Sequence, residues 1–134
     1  MTNDLNKYVE FVDTTTSKPS KEFSEFADRL NDLKIQGFPT ERLLTAAVGM
    51  SAEAGEFTEI IKKIVFQGKP VNEENLFHLK RELGDIMWYV SQACLGLDIS
   101  LEEVIQMNFE KLSARYPEGA FTIERSENRV EGDL

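Results

Sequence analysis

Two segments of this chain each carry a pair of carboxylates three residues apart: Glu53 and Glu56 in SAEAGEFTEIIKKI, Glu82 and Asp85 in KRELGDIMWYV. A helix brings residues three and four apart onto one face, so each pair can offer two oxygen ligands to one ion, and two facing helices can offer four. An oxygen-only donor set suits Mg²⁺, with Mn²⁺ as the alternative, better than zinc, which prefers His and Cys. The lone His78 and lone Cys94 point the same way. A di-iron carboxylate site would need Glu-x-x-His on each of two helices, and the chain contains none.

On a helical wheel, at ~100° per residue, Glu53 falls inside an apolar sector and Glu56 at its edge, while Glu82 borders the sector of the next helix and Asp85 lies just outside. Either pair alone reads as a solvated helix face. Two long helices with the same defect read as a metal site, because a carboxylate in apolar surroundings needs an ion or a cationic partner, and a dication relieves the repulsion of gathered acids. A second constellation lies in NFEKLSARYPEG, where Asn108, Lys111 and Arg115 project along one helix side and Tyr116 follows. Such donors recognise phosphate. By itself this patch reads more readily as a set of partners for surface acids.

The elements that must hold these groups are helices. The expected fold class is all-α, a four- to five-helix bundle, with only AFTI near the end suggesting alternation. The first helix is expected over Asp4 to Asp13, broken by TTTSKPS, and the second is capped by Ser20 and ends before Gly37 and Pro39. The third runs from a Thr40 cap to about Phe66 on a stripe of Leu43, Ala47, Met50, Ala54, Phe57, Ile61 and Ile64. Gln67-Gly68-Lys69-Pro70 stops it. The fourth starts near Asn72 and runs to Leu97 through Leu76, Leu79, Leu83, Ile86, Val90, Ala93 and Leu97. Ser100 and Glu103 form a capping box for the fifth, which ends at Tyr116-Pro117.

At 134 residues the chain is expected to be one domain, residues 1–123, followed by a polar tail, 124–134. Cys94, without a partner, is a core thiol and fits a reducing compartment. The polar N-terminus does not resemble a signal peptide, and no apolar run reaches the ~20 residues of a membrane span, so a cytoplasmic protein is expected. A net charge of −9 disfavours a nucleic-acid polymer as partner. It does not disfavour a small polyphosphate, since a bound cation reverses the local field.

Taken together, EAGEFTEIIKKIVFQGKP, HLKRELGDIMWYV and NFEKLSARYPEGAF resemble the MazG family of all-α nucleoside triphosphate pyrophosphohydrolases, and in particular its short stand-alone bacteriophage members. The resemblance covers most of the chain. It implies that Glu53, Glu56, Glu82 and Asp85 are the catalytic metal ligands, and that Lys111, Arg115, Asn108 and Tyr116 hold the phosphates. It implies cleavage between the α and β phosphates to a nucleoside monophosphate and pyrophosphate, in the host cytoplasm if phage-encoded. It also implies a homo-oligomer, a tetramer ahead of a dimer. Lys63, Phe11 and Trp88 join the candidate substrate-binding residues: Phe11, with Asn6, as cover for a base and Trp88, or Tyr89, as a stacking surface, with core packing the more ordinary role of each aromatic.

The sequence departs from the family at one place, where the family's leading Glu is Ala52. The general base is then either Glu53 or unnecessary, because coordination by itself acidifies water. Ala52 also keeps open a helical regulatory protein whose acids bind metal without turnover. Among enzymes the alternatives are an all-α dUTP hydrolase and a phosphoribosyl-ATP pyrophosphohydrolase. Deoxynucleotides such as dGTP or dCTP are the expected substrates.

Overall fold

The structure, a computed structural model, describes residues 5–128. It is all-helical, and no strand occurs among the described residues, AFTI included. The chain divides into two compact units, one ending at Glu41 and one beginning at Arg42.

The first unit holds α1 (Leu5–Thr15), a single 3-10 turn (Lys18–Ser20) and α2 (Phe23–Ile35). The expected start of α1 at Asp4 lies outside the described residues. Its end does not fall at Asp13: the hydroxyls of Thr15 and Thr16 donate to the carbonyls of Phe11 and Val12, at 2.7 and 2.6 Å, so the threonines satisfy the last turn instead of breaking it. Ser20 does not cap α2. Its hydroxyl pairs with that of Ser17 at 3.0 Å, and the capping position is Glu22, whose side chain makes no cap bond. Lys21 ties the segment back to α1 by donating to the Asp13 carbonyl at 2.7 Å. α2 closes as Gly37 takes a left-handed φ of 76°, which lets the Phe38 N–H reach the Leu33 carbonyl.

The second unit is dominated by α3 (Thr40–Gln67) and α4 (Glu73–Leu97). Thr40 is the first helical residue of α3 and its hydroxyl faces the Phe38 carbonyl. The Asn72 side chain accepts from the Asn75 N–H at 2.9 Å and caps α4, while the buried Asn75 donates to the Pro70 carbonyl at 2.7 Å and pins the connection. α5 (Leu101–Arg115) opens on a complete Ser100–Glu103 capping box. The segment from Glu124 is not irregular throughout: Thr122 caps a short α6 (Ile123–Glu127), and the last residues of the tail lie outside the described ones.

α3 and α4 run antiparallel, with Leu43 against Gly96, Arg42 donating to Gln92 at 2.9 Å, and Gly49 under Tyr89. The covered positions follow a heptad: Leu43, Ala46, Met50, Glu53, Phe57, Ile60 and Ile64 on α3; Asn75, Leu79, Glu82, Ile86, Tyr89, Ala93 and Gly96 on α4. This corrects the expected stripes at alternate positions, with the exception of Val90, which is partly covered as expected. Ala47, Ala54 and Ile61, like Leu76, Leu83 and Leu97, are exposed one residue beside the seam. The small or polar Ala46, Gly49, Glu53, Asn75, Glu82 and Gly96 take the close approach instead.

Candidate functional site

Glu53 and Glu82 therefore stand on the seam itself, half-buried in the middle of two long unbroken helices, which is a rigid way to aim a side chain. Asp85, one turn on from Glu82, is exposed. One carboxylate oxygen from each of Glu53, Glu82 and Asp85 lies within 4.8 Å of the other two. Partial burial, then the charges of Glu56, Asp85 and Glu82, and a hydrogen bond with Glu82 hold the Glu53 carboxyl above its ordinary value. Glu56 is exposed and outside the triangle, yet near enough for Glu53 to feel its charge.

Crowded acids of this kind, offering only oxygen and reaching in from two helices, have the chemistry that a hard divalent cation requires. The exposed Asp85 leaves the triangle open on one side, so a ligand can share the ion. An open pocket of about 390 Å³ lies there, lined by Glu53, Asp85, Trp88 and Tyr89. Trp88 and Tyr89 meet edge to face, their ring centres 4.8 Å apart. Trp88 remains more than half exposed, which leaves a ring surface beside the acids.

The other expected residues stand elsewhere. Lys63 pairs with Glu59 at 3.2 Å, and Lys62 contacts the same carboxylate, so the two lysines hold the Glu59 carboxyl below its ordinary value. Glu59 is thus engaged, as is Lys63. Asn108 and Tyr116 line a second, mostly apolar cavity of about 410 Å³ with Ile105, Phe109, Leu112 and Phe121. Lys111 and Arg115 are half-buried on α5, and neither they nor Asn108 and Tyr116 line the carboxylate pocket. Phe11 is on α1 of the first unit, 62% exposed.

Gly49 is the residue of the site region that sequence patterning undervalues. The available signal was Gly49 itself, since glycine within a 28-residue helix forgoes roughly 1 kcal/mol relative to alanine and calls for a local reason.

Comparison with known proteins gives concordant results. Residues 41–120 match the MazG nucleotide pyrophosphohydrolase domain. That stretch contains all four acids, Lys63, Trp88 and the α5 donors, but not Phe11. The chain is also similar to the "Gene 37 protein" of Mycobacterium phage L5, with 41% identity over 80 residues, 59% of this chain and 70% of that protein. No solved structure matches significantly.

Proposed function

We propose a function from one premise: the chain belongs to the family of the MazG nucleotide pyrophosphohydrolase domain. On that premise it is a Mg²⁺-dependent nucleoside triphosphate pyrophosphohydrolase, with Mn²⁺ as substitute. Water and a (d)NTP give a (d)NMP and pyrophosphate. The observation that carries this reading is the convergence of Glu53, Glu82 and Asp85 within 4.8 Å, inside the matched segment.

A bound divalent cation supplies charge neutralisation for the triphosphate and for its transition state. The chain supplies the rest. Glu53, Glu82 and Asp85, with Glu56 completing the set, would hold one to three such ions, from a fixed place on two rigid helices. Attack by water at the α-phosphorus forms one P–O bond and breaks the bond to the β-phosphate, and the water's proton needs an acceptor. Ala52 offers none. Glu53, which converges with Glu82 and Asp85, is the acceptor this reading assigns. Trp88 gives the base a stacking surface beside the acids.

Lys111 and Arg115 receive the leaving pyrophosphate in a homo-oligomer, a tetramer ahead of a dimer, where α5 of a second copy meets the acids of the first. Two features support this. The cationic side of α5 does not line the carboxylate pocket of its own chain. Ile105, Phe109 and Phe121 are also 60, 65 and 70% exposed, more apolar surface than a soluble monomer ordinarily leaves in water. Deoxynucleotides such as dGTP or dCTP are the substrates this reading favours, consistent with a phage relative and with adjustment of the nucleotide pool during infection.

The test is direct: purified protein, Mg²⁺ or Mn²⁺, a panel of dNTPs, NTPs and dUTP, and separation of products by ion exchange. Monophosphate and pyrophosphate from a subset are expected. No product with either ion would overturn the reading and favour the regulatory protein for which Ala52 speaks.

A further inference from the structure

Gly49 is buried, and a Cβ built on it would fall within the ring of Tyr89, against Cδ1, Cε1 and Cζ. Nothing comparable occurs at the neighbouring glycines of the pair. Gly55 and Gly84 face open space, and at Gly96 the added atom would stand 3.1 Å from Leu43 Cδ2, the end of a flexible side chain. The requirement for no side chain is therefore local to one contact. Its position is telling: Glu53 lies four residues beyond Gly49 on α3, and Asp85 four residues before Tyr89 on α4. Because the helices are antiparallel, both steps run the same way along the pair, one turn of about 5.4 Å.

Resting on the metal-binding reading above, we infer that Gly49 is a positioning residue for the metal site: by admitting the Tyr89 ring against α3 it sets the helix separation that brings the Glu53, Glu82 and Asp85 oxygens within 4.8 Å of one another. A methyl group at position 49 leaves two ways out. Either α3 and α4 separate, which spreads the acids one turn away, or the Tyr89 ring leaves the seam and enters the pocket it lines with Glu53 and Asp85. Both disturb the triangle.

The experiment measures Mn²⁺ affinity by electron paramagnetic resonance, and thermal stability in chelator, for wild type, G49A, G96A, Y89A and G49A/Y89A. G49A is expected to bind Mn²⁺ about tenfold or more weakly, the size typical of residues that orient metal ligands. G96A alters the same helix pair far from the acids and is expected to keep wild-type affinity. In the Y89A background the added methyl meets no ring, so G49A/Y89A is expected to match Y89A. Wild-type affinity in G49A, or a further loss on adding the methyl to Y89A, overturns the inference, and the second comparison stands even if G49A alone does not fold. Absence of Mn²⁺ binding by the wild type instead removes the metal-site reading on which it rests.

Discussion

Glu53 on α3 and Glu82 on α4 bring carboxylate oxygens within 4.8 Å of each other across the seam, in a place where heptad packing ordinarily puts apolar residues. Two carboxyls can share a proton but not two full charges. Without a cation, this pair opposes the helix contact it sits in, and with one it strengthens that contact.

The pH dependence of stability follows from the direction of each shift. Glu53 is raised from 4.5, so its contribution is fully present below that value and is lost as pH rises through the raised one. Glu59 and Glu103 are lowered, by Lys62 and Lys63 in one case and by the Ser100 cap in the other, so their contributions are present above 4.5 and are lost in stronger acid. In chelator, melting temperature is expected to rise as pH falls from neutral toward 4.5, then to drop on further acidification. Mg²⁺ at neutral pH should restore the stability lost there. Thermal melts of wild type and Glu53→Gln across this range check it: the variant should lose the rise toward acid, and an unchanged profile would deny Glu53 the shift.

Glu53→Gln and Asp85→Asn each remove one charge from the triangle. Loss of one preorganised electrostatic contact commonly costs about a hundredfold or more in turnover. Both variants are expected to lose activity on that scale while melting at or above the wild-type temperature in chelator, because repulsion is relieved. Turnover close to wild type in both would show that the acids are not catalytic.

Trp88→Ala tests the stacking surface. Removing an aromatic platform costs roughly 1–3 kcal/mol per stacked base, so KM should rise about tenfold with a smaller change in kcat. Equal losses across nucleotides of different base are expected, since stacking is tolerant of base identity. A fall in kcat alone would place Trp88 in packing.

Much of this fold is legible in the sequence where its causes are local. Asn72 caps α4 and Ser100 with Glu103 caps α5, because each bond spans only three residues. The seam is read only in half. Leu43, Met50, Phe57 and Ile64 lie where periodicity puts them, as do Leu79, Ile86, Val90 and Ala93, but between them the expected Ala47, Ala54, Ile61, Leu76, Leu83 and Leu97 give way to neighbours one residue earlier. Apolar residues occupy a wide arc of both helices, and hydrophobicity cannot choose between adjacent lines within it. Close approach decides: Gly49 admits Tyr89, and Gly96 lies against Leu43. That same rotation puts Glu53 and Glu82 on the contact line, in keeping with the helical wheel, which puts Glu53 inside the apolar sector and Glu82 at its border. Lys111 and Arg115 carry no such signal, because the partner their spacing implies is not encoded in the helix that bears them.

Asn75 is the remaining polar residue of the seam, 5% exposed, and it holds the α3–α4 connection through its bond to the Pro70 carbonyl. Pro70 is exposed, so truncation would leave its carbonyl to water and lose only the net worth of the bond, about 0.5–1.5 kcal/mol. Asn75→Ala is expected to lower stability by this amount in chemical denaturation, whereas Asn75→Asp should be worse than a size-matched change suggests. Its carboxylate would face a carbonyl oxygen, acceptor against acceptor, and add a negative charge to a helix pair that already carries three clustered acids. Because Asn75 lies two helical turns from Glu82, Mn²⁺ affinity in Asn75→Ala should stay at the wild-type value. Loss of both stability and Mn²⁺ affinity would mean that the connection, and not the Gly49–Tyr89 contact alone, sets the separation of the helices at the acids.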